Sequence, residues 1–195
     1  MAITAETVKQ LREMTGIGMM KCKEALQASD GDIDKAVEYL RKKGMAAAEK
    51  KADRETDEGY VASYIHSNGK IGVLVEMKCE TDFVARNEDF RALCRDLCMQ
   101  VAAAKPKWVS SDDVPEDLLA KEREIYAEQF KDKPAQAIDK IVEGKLKSFY
   151  EEHCLLSQKF VKEPKTTVAD LIKQMVAKLG ENMSVGRFVR LQVGE

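Results

Sequence analysis

The dipeptide Asn68-Gly69 sits between two runs in which apolar residues recur at every second position. Asn-Gly accepts the positive φ of a tight turn at low cost, so the flanking runs read as the arms of a β-hairpin. In "EGYVASYIH" the residues Tyr60, Ala62 and Tyr64 share one side, with Val61, Ser63 and Ile65 on the other. In "KIGVLVEMKC" Ile71, Val73, Val75, Met77 and Cys79 point one way. A lone hairpin is marginal in water and needs a third strand or a helix layer. The last segment, "SVGRFVRLQVGE", alternates again, with Val185, Val189, Leu191 and Val193 on one side and Arg187 the exception. It is predicted to complete an antiparallel three-stranded sheet.

The first 44 residues have helical spacing instead. Thr4 is the predicted N-cap of a first helix, Glu6 favours its positive end, and Val8 and Leu11 begin an apolar stripe with Ile3 just outside. Gly16 suits a left-handed stop. A second helix, Met19 to Ala28, buries Cys22, Ala25 and Leu26. "SDGD" turns the chain, Asp32 caps a third helix with a stripe of Ile33, Ala36, Val37 and Leu40, and Gly44 is expected to end it. "MAAAEKKADRE" is rich in helix formers but has little apolar stripe, which predicts a connector helix.

Helices also fill the middle of the chain. Phe90, Leu93, Cys94, Leu97, Cys98 and Val101 fall at i, i+3, i+4, i+7, i+8 and i+11, the pattern of a buried helix. "PEDLLAKEREIYAEQF" and "KPAQAIDKIVEGKLKSFYEEH" read as charged amphipathic helices joined at 132–134. "TTVADLIKQMVAKLG" turns Val168, Leu171, Ile172, Met175 and Leu179 inward. Strands followed by a block of helices describe an α+β fold. The domains expected are a three-helix unit with its connector over 1–54 and an α+β core over 55–195.

Composition removes several function classes. With 44% hydrophobic and 34% charged residues, the 195-residue chain reads as globular, and a net charge of −2 supplies no bulk field toward nucleic acid or anionic lipid. No apolar run approaches the roughly 18 residues of a bilayer span. The N-terminus lacks a secretory signal pattern. Five scattered cysteines, an odd number, point to reduced thiols in the cytoplasm.

Candidate reaction chemistry is sparse. Cys94 and Cys98 lie inside an apolar stripe rather than across a turn, so they read as small hydrophobes and not zinc ligands. Two histidines leave metal catalysis and nucleophile relays short of parts. "GKIG" lacks the phosphate-loop spacing. "TGIGMM" places two glycines before a helix start, where an anion would fit, but a turn between two helices of a bundle needs no ligand. No cofactor, no metal and no enzymatic activity are expected.

Two features are not absorbed by core packing. Met19 and Met20 open the second helix about 100° apart, so a thin core has difficulty taking both, and adaptable Met side chains suit a binding face. "KCETDFVARNEDF" places Phe83 in a short polar connection between a strand and a helix. The residues alone leave its ring free to point inward or outward.

"LREMTGIGMMKCKEAL", "YIHSNGKIGVLVEMKCETDFVARNEDF", "AIDKIVEGKLKSFYEEHCLLSQKFVK" and "VGRFVRLQVGE" closely resemble the translation elongation factor Ts family over nearly the whole chain. The resemblance implies a guanine-nucleotide exchange factor for the GTPase elongation factor Tu, acting in the cytoplasm during translation elongation. It also implies that the three-helix unit is of the ubiquitin-associated (UBA-like) type. That unit would contact the GTPase's nucleotide-binding domain through Met19 and Met20, with support from Val8 and Leu11. Thr81, Asp82, Phe83 and Val84 match the family segment that inserts between two helices of the GTPase and disturbs its Mg²⁺ site, which implies an outward Phe83. One set of core strands marks the short form of the family, whose members pair as homodimers. A ribosome- or RNA-associated helper is the alternative reading.

Overall fold

The computed structural model describes residues 3–195. The chain divides into two compact units. One takes in residues up to Tyr60 with Lys78–Ala92 and Asp170–Ser184; the other takes in Val61–Met77, Leu93–Ala169 and Val185–Glu195.

In the first unit, α1 (Ala5–Thr15), α2 (Met19–Ala28) and α3 (Ile33–Glu49) form the expected three-helix bundle. Thr4 caps α1 by accepting from the Thr7 N–H at 3.2 Å, and the Thr7 hydroxyl oxygen takes the Thr4 N–H at 3.1 Å in return, which satisfies two donors at the helix start. Gly16 closes α1 at φ 67°, the left-handed geometry that glycine adopts most readily. Asp32 caps α3 through the Lys35 N–H. Leu11, Cys22, Ala25, Leu26, Ala36 and Leu40 make the core.

The predicted stop at Gly44 is corrected: α3 continues through it to Glu49, so the connector is the C-terminal part of α3 rather than a separate helix. Gly44 serves a close approach instead, since a Cβ built on it would lie 2.8 Å from the Ala177 Cβ. Ala177 belongs to α8 (Val168–Leu179), and Lys173 of the same helix pairs with Glu49 at 3.0 Å. Past the end of α3, Lys51 Nζ donates to the Gly180 carbonyl.

The sheet has the order β1 (Glu58–Ile65), β2 (Ile71–Cys79), β5 (Met183–Gln192). Gly69, at φ 68°, makes the hairpin turn, where the His66 N–H bonds to the Ile71 carbonyl at 2.9 Å. The Val193 N–H bonds to the Lys70 carbonyl and Arg187 pairs with Glu76, so β5 runs antiparallel to β2. Val73, Val75, Met77 and Cys79 are buried as the alternation predicted, while Ile71 is half-buried. On β5 the expectation is corrected: Val185 is buried, but Val189, Leu191 and Val193 are exposed. Gly186 and Arg187 both face water, and beyond them Phe188, Arg190 and Gln192 are the less exposed residues. The buried side of β5 thus changes phase at Gly186 and Arg187.

The outer face of this sheet is apolar. Val61, Ile65, Leu74, Val189 and Leu191 are exposed on it, Leu191 at 70%. Arg187 and Glu76 pair across it at 3.1 Å.

The helices of the second unit pack largely as their spacing predicted. In α5 (Glu88–Ala104) Leu93, Cys94, Leu97, Cys98 and Val101 are buried. The charged helices α6 (Glu116–Gln129) and α7 (Ala135–His153) share a small core of Leu119, Leu146 and Phe149 with Val114 and Cys154. A short hairpin of β3 (Lys159–Phe160) and β4 (Glu163–Thr167), not foreseen from sequence, follows α7. It is tied to α5 by buried Gln100, which donates to Gln158 at 3.1 Å and to the Lys159 carbonyl at 3.2 Å while accepting the Val161 N–H at 2.8 Å.

Candidate functional site

The polar segment after β2 is not an irregular connection. Asp82–Arg86 forms a one-turn helix, α4, between β2 and α5, with Thr81 as its N-cap. Thr81 is extended at φ −134° and its hydroxyl oxygen accepts the Val84 N–H at 3.4 Å. A helix this short has no stability of its own, so its direction is set by its ends. Asn87 ends it and starts α5, its side chain accepting the Asp89 N–H at 2.9 Å.

On this turn Val84 and Ala85 face inward and are buried, which leaves Phe83 and Arg86 facing out. Phe83 is 81% exposed. Asp82 is half-buried and pairs with Arg86 at 2.9 Å, a surface ion pair that orients more than it stabilises. Thr81 is half-buried.

Beneath the turn lies a reciprocal set of bonds. The Glu181 carboxylate takes the Thr81 N–H at 3.0 Å on one oxygen and the Thr81 hydroxyl at 2.7 Å on the other. The Glu80 carboxylate takes the Asn182 N–H at 2.6 Å. The Asn182 side chain donates to the carbonyls of Ala52 and Arg54 at 3.1 and 2.9 Å, and Arg54 pairs with Glu80 at 3.5 Å. Cys79 donates its thiol to the Thr81 carbonyl at 3.2 Å; burial, and then the negative Glu181, push that thiol up to about 11. No local sequence signal marks Glu181 or Asn182, because their partners lie a hundred residues away.

The second group of predicted residues belongs to the three-helix bundle. Met20 is 78% and Met19 56% exposed at the start of α2, and Met14 near the end of α1 is exposed as well. Val8 is half-buried against the bundle core and Leu11 is wholly buried in it. Leu11 and Val84 are buried and lie beneath the surface that their neighbours present.

All five cysteines are buried and none forms a disulfide. Among the described residues no three His, Cys, Asp or Glu side chains converge as metal ligands, and no helix is long and apolar enough to cross a membrane.

The fold class is α+β with a three-helix N-terminal bundle, and the candidate residues turned to water are Phe83 on α4 and Met19 and Met20 at the start of α2. A model of the family described as elongation factor TS matches residues 3–195. The chain is 58% identical to elongation factor Ts of Fervidobacterium nodosum, with both chains covered in full. It is 58% identical to that of Thermodesulfovibrio yellowstonii over all of this chain and 98% of the relative, and 55% identical to that of Thermotoga neapolitana over all of this chain and 99% of the relative. The chain belongs to the elongation factor Ts family.

Proposed function

We propose that this chain is a guanine-nucleotide exchange factor that binds elongation factor Tu in its GDP state, perturbs the Mg²⁺ and phosphate region of that GTPase, and promotes GDP release during translation elongation in the cytoplasm. The observation that carries the reading is the 81% exposure of Phe83 on a capped turn. A phenyl ring held in water gains free energy only when something else covers it.

The physics needs no bond making. A P-loop GTPase holds GDP through backbone donors, a lysine and Mg²⁺ bridging the phosphates. A factor that binds the empty GTPase better than the GDP-bound one weakens GDP by that same difference. Burying a Phe side chain contributes about 1.5–3 kcal/mol, and about 1.4 kcal/mol is a tenfold change in affinity. If the ring finds its pocket only after the phosphate region has shifted, Phe83 alone accounts for roughly one to two decades of GDP loosening. Asp82 meets backbone or side-chain donors of the shifted GTPase. Thr81 and Val84 hold the turn from within.

Met19 and Met20 supply the second point of attachment, on the nucleotide-binding domain of the GTPase, with Val8 and Leu11 shaping the surface beneath them. Two attachment points on one compact unit fix the direction from which Phe83 arrives. The exposed face of Val61, Ile65, Leu74, Val189 and Leu191 supports pairing with a second copy of the chain. Light scattering is expected to give a dimer, and Leu191→Asp, which places a charge in that face, a monomer.

The test of exchange is direct. A catalytic amount of the chain, added to elongation factor Tu loaded with labelled GDP, is expected to accelerate release of the label into excess unlabelled nucleotide. Release at the spontaneous rate would end the proposal.

A further inference from the structure

We infer that Glu181 is a positioning residue for exchange: its two bonds to Thr81 fix the turn that carries Asp82 and Phe83, so that the ring is presented already in its productive direction. This rests on the exchange reading above.

Thr81 has one hydroxyl proton and two acceptor lone pairs. A carboxylate only accepts, so the 2.7 Å bond to Glu181 commits that proton and leaves the oxygen to receive the Val84 N–H. The second carboxylate oxygen takes the Thr81 N–H and fixes the backbone at the same residue. Both the main chain and the side-chain rotamer of the N-cap are thereby set by one distant group.

The consequence reaches Phe83 because burial of Val84 and Ala85 fixes which way the ring faces, while Thr81 fixes the start of the turn that carries it. The ring is exposed, and the cap bond to Val84, at 3.4 Å, is long for an N–H donor. Released from Glu181, the Thr81 hydroxyl can rotate and the single turn can fray. A frayed turn must be ordered when it meets a partner, and that ordering subtracts from the coupling available for GDP release. Glu80 and Asn182 brace the same joint from the other side, the Asn182 amide reaching the carbonyls of Ala52 and Arg54 just past α3. The turn and the helical bundle with its two methionines are thus held together by backbone-directed bonds.

The experiment uses Glu181→Ala and Glu181→Gln in the full chain, with Thr81→Ser and Thr81→Val. Three quantities are read: stimulated GDP release at saturating factor, the melting temperature, and hydrogen exchange of the Val84 amide. Glu181→Ala, which removes both charge-assisted bonds to Thr81, is expected to lower the saturated rate at least about tenfold and to speed exchange of the Val84 amide. Glu181→Gln, whose amide oxygen can satisfy one of the two donors, falls between. Thr81→Ser keeps the hydroxyl and retains more exchange activity than Thr81→Val. Thr81→Val in the Glu181→Ala background adds little further loss, since both remove one interaction. Should Glu181→Ala melt below the assay temperature, Glu181→Gln carries the comparison.

Saturated release within twofold of the parent in both Glu181 variants overturns the inference. So does a loss that only follows the fraction of molecules unfolded. Failure of the parent chain to accelerate GDP release would instead remove the exchange reading, while the Val84 amide still reports whether Glu181 holds the turn.

Discussion

Gly44 and Ala177 face each other so closely that a methyl group on Gly44 would lie 2.8 Å from the Ala177 Cβ. Two effects oppose each other in Gly44→Ala. Helix propensity favours alanine by about 1 kcal/mol, whereas forcing a methyl into a packed helix crossing costs about 1–3 kcal/mol. Ala177 is itself short and rooted in helix backbone, so it cannot swing aside, and the clash wins. Gly44→Ala is expected to lower the melting temperature. An unchanged or higher value would mean that the crossing opens at little cost.

Phe83→Ala separates surface from core. Removing an exposed ring leaves stability within about 0.5 kcal/mol of the parent, while an aromatic anchor at an interface is worth about 2 kcal/mol or more. The variant is therefore expected to melt like the parent and to lose at least about tenfold in stimulated GDP release. Parallel melts and nucleotide-release traces decide it.

Gln100 is the buried polar side chain with most at stake in the second unit. Its replacement by Leu strands the Gln158 side-chain oxygen, the Lys159 carbonyl and the Val161 N–H. The Gln158 oxygen is buried and costs about 1–3 kcal/mol when left without a partner, while the part-buried Lys159 and Val161 groups cost less. Gln100→Leu is expected to destabilise the chain by at least about 2 kcal/mol in denaturant titration, despite its greater hydrophobicity.

Alkaline pH attacks the buried thiols. Burial raises Cys79, Cys98 and Cys154 from 9.0 to about 11, with the carboxylates of Glu181 and Asp113 adding to the effect at Cys79 and Cys154 respectively. Between those values the unfolded chain has lost these protons and the folded chain still holds them. Stability from this source is thus complete below pH 9 and is lost as pH rises toward about 11. Melting temperatures are expected to fall across that window, and a thiol reagent at neutral pH to react fully only after denaturant is added.

What could be read from sequence was what local chemistry decides. Thr4, Gly16, Asp32 and Asn68-Gly69 act on residues within a turn of themselves, and each stands where its type predicted. Gly44 carries the local signal of a stop, whereas its purpose depends on Ala177, far along the chain. The alternation of β5 is visible in its sequence, but the phase change at Gly186 has no local signal, so Val189 and Leu191 share the parity of Val185 without sharing its burial. The β3–β4 hairpin was missed, since its first strand is two residues long and Pro164 interrupts the second. The composition around Phe83 left both directions open; burial of Val84 and Ala85 on the same turn decides it.

The unbroken course of α3 also governs which length changes the chain can absorb. A loop takes up an added residue by bulging, whereas a helix converts it into about 100° of rotation. One residue inserted after Gly44 would swing Ala48 out of its buried place and carry Lys51 away from the Gly180 carbonyl. Positions 33–49 therefore admit exchange of one side chain for another, but behave like a keyed shaft toward any single insertion or deletion.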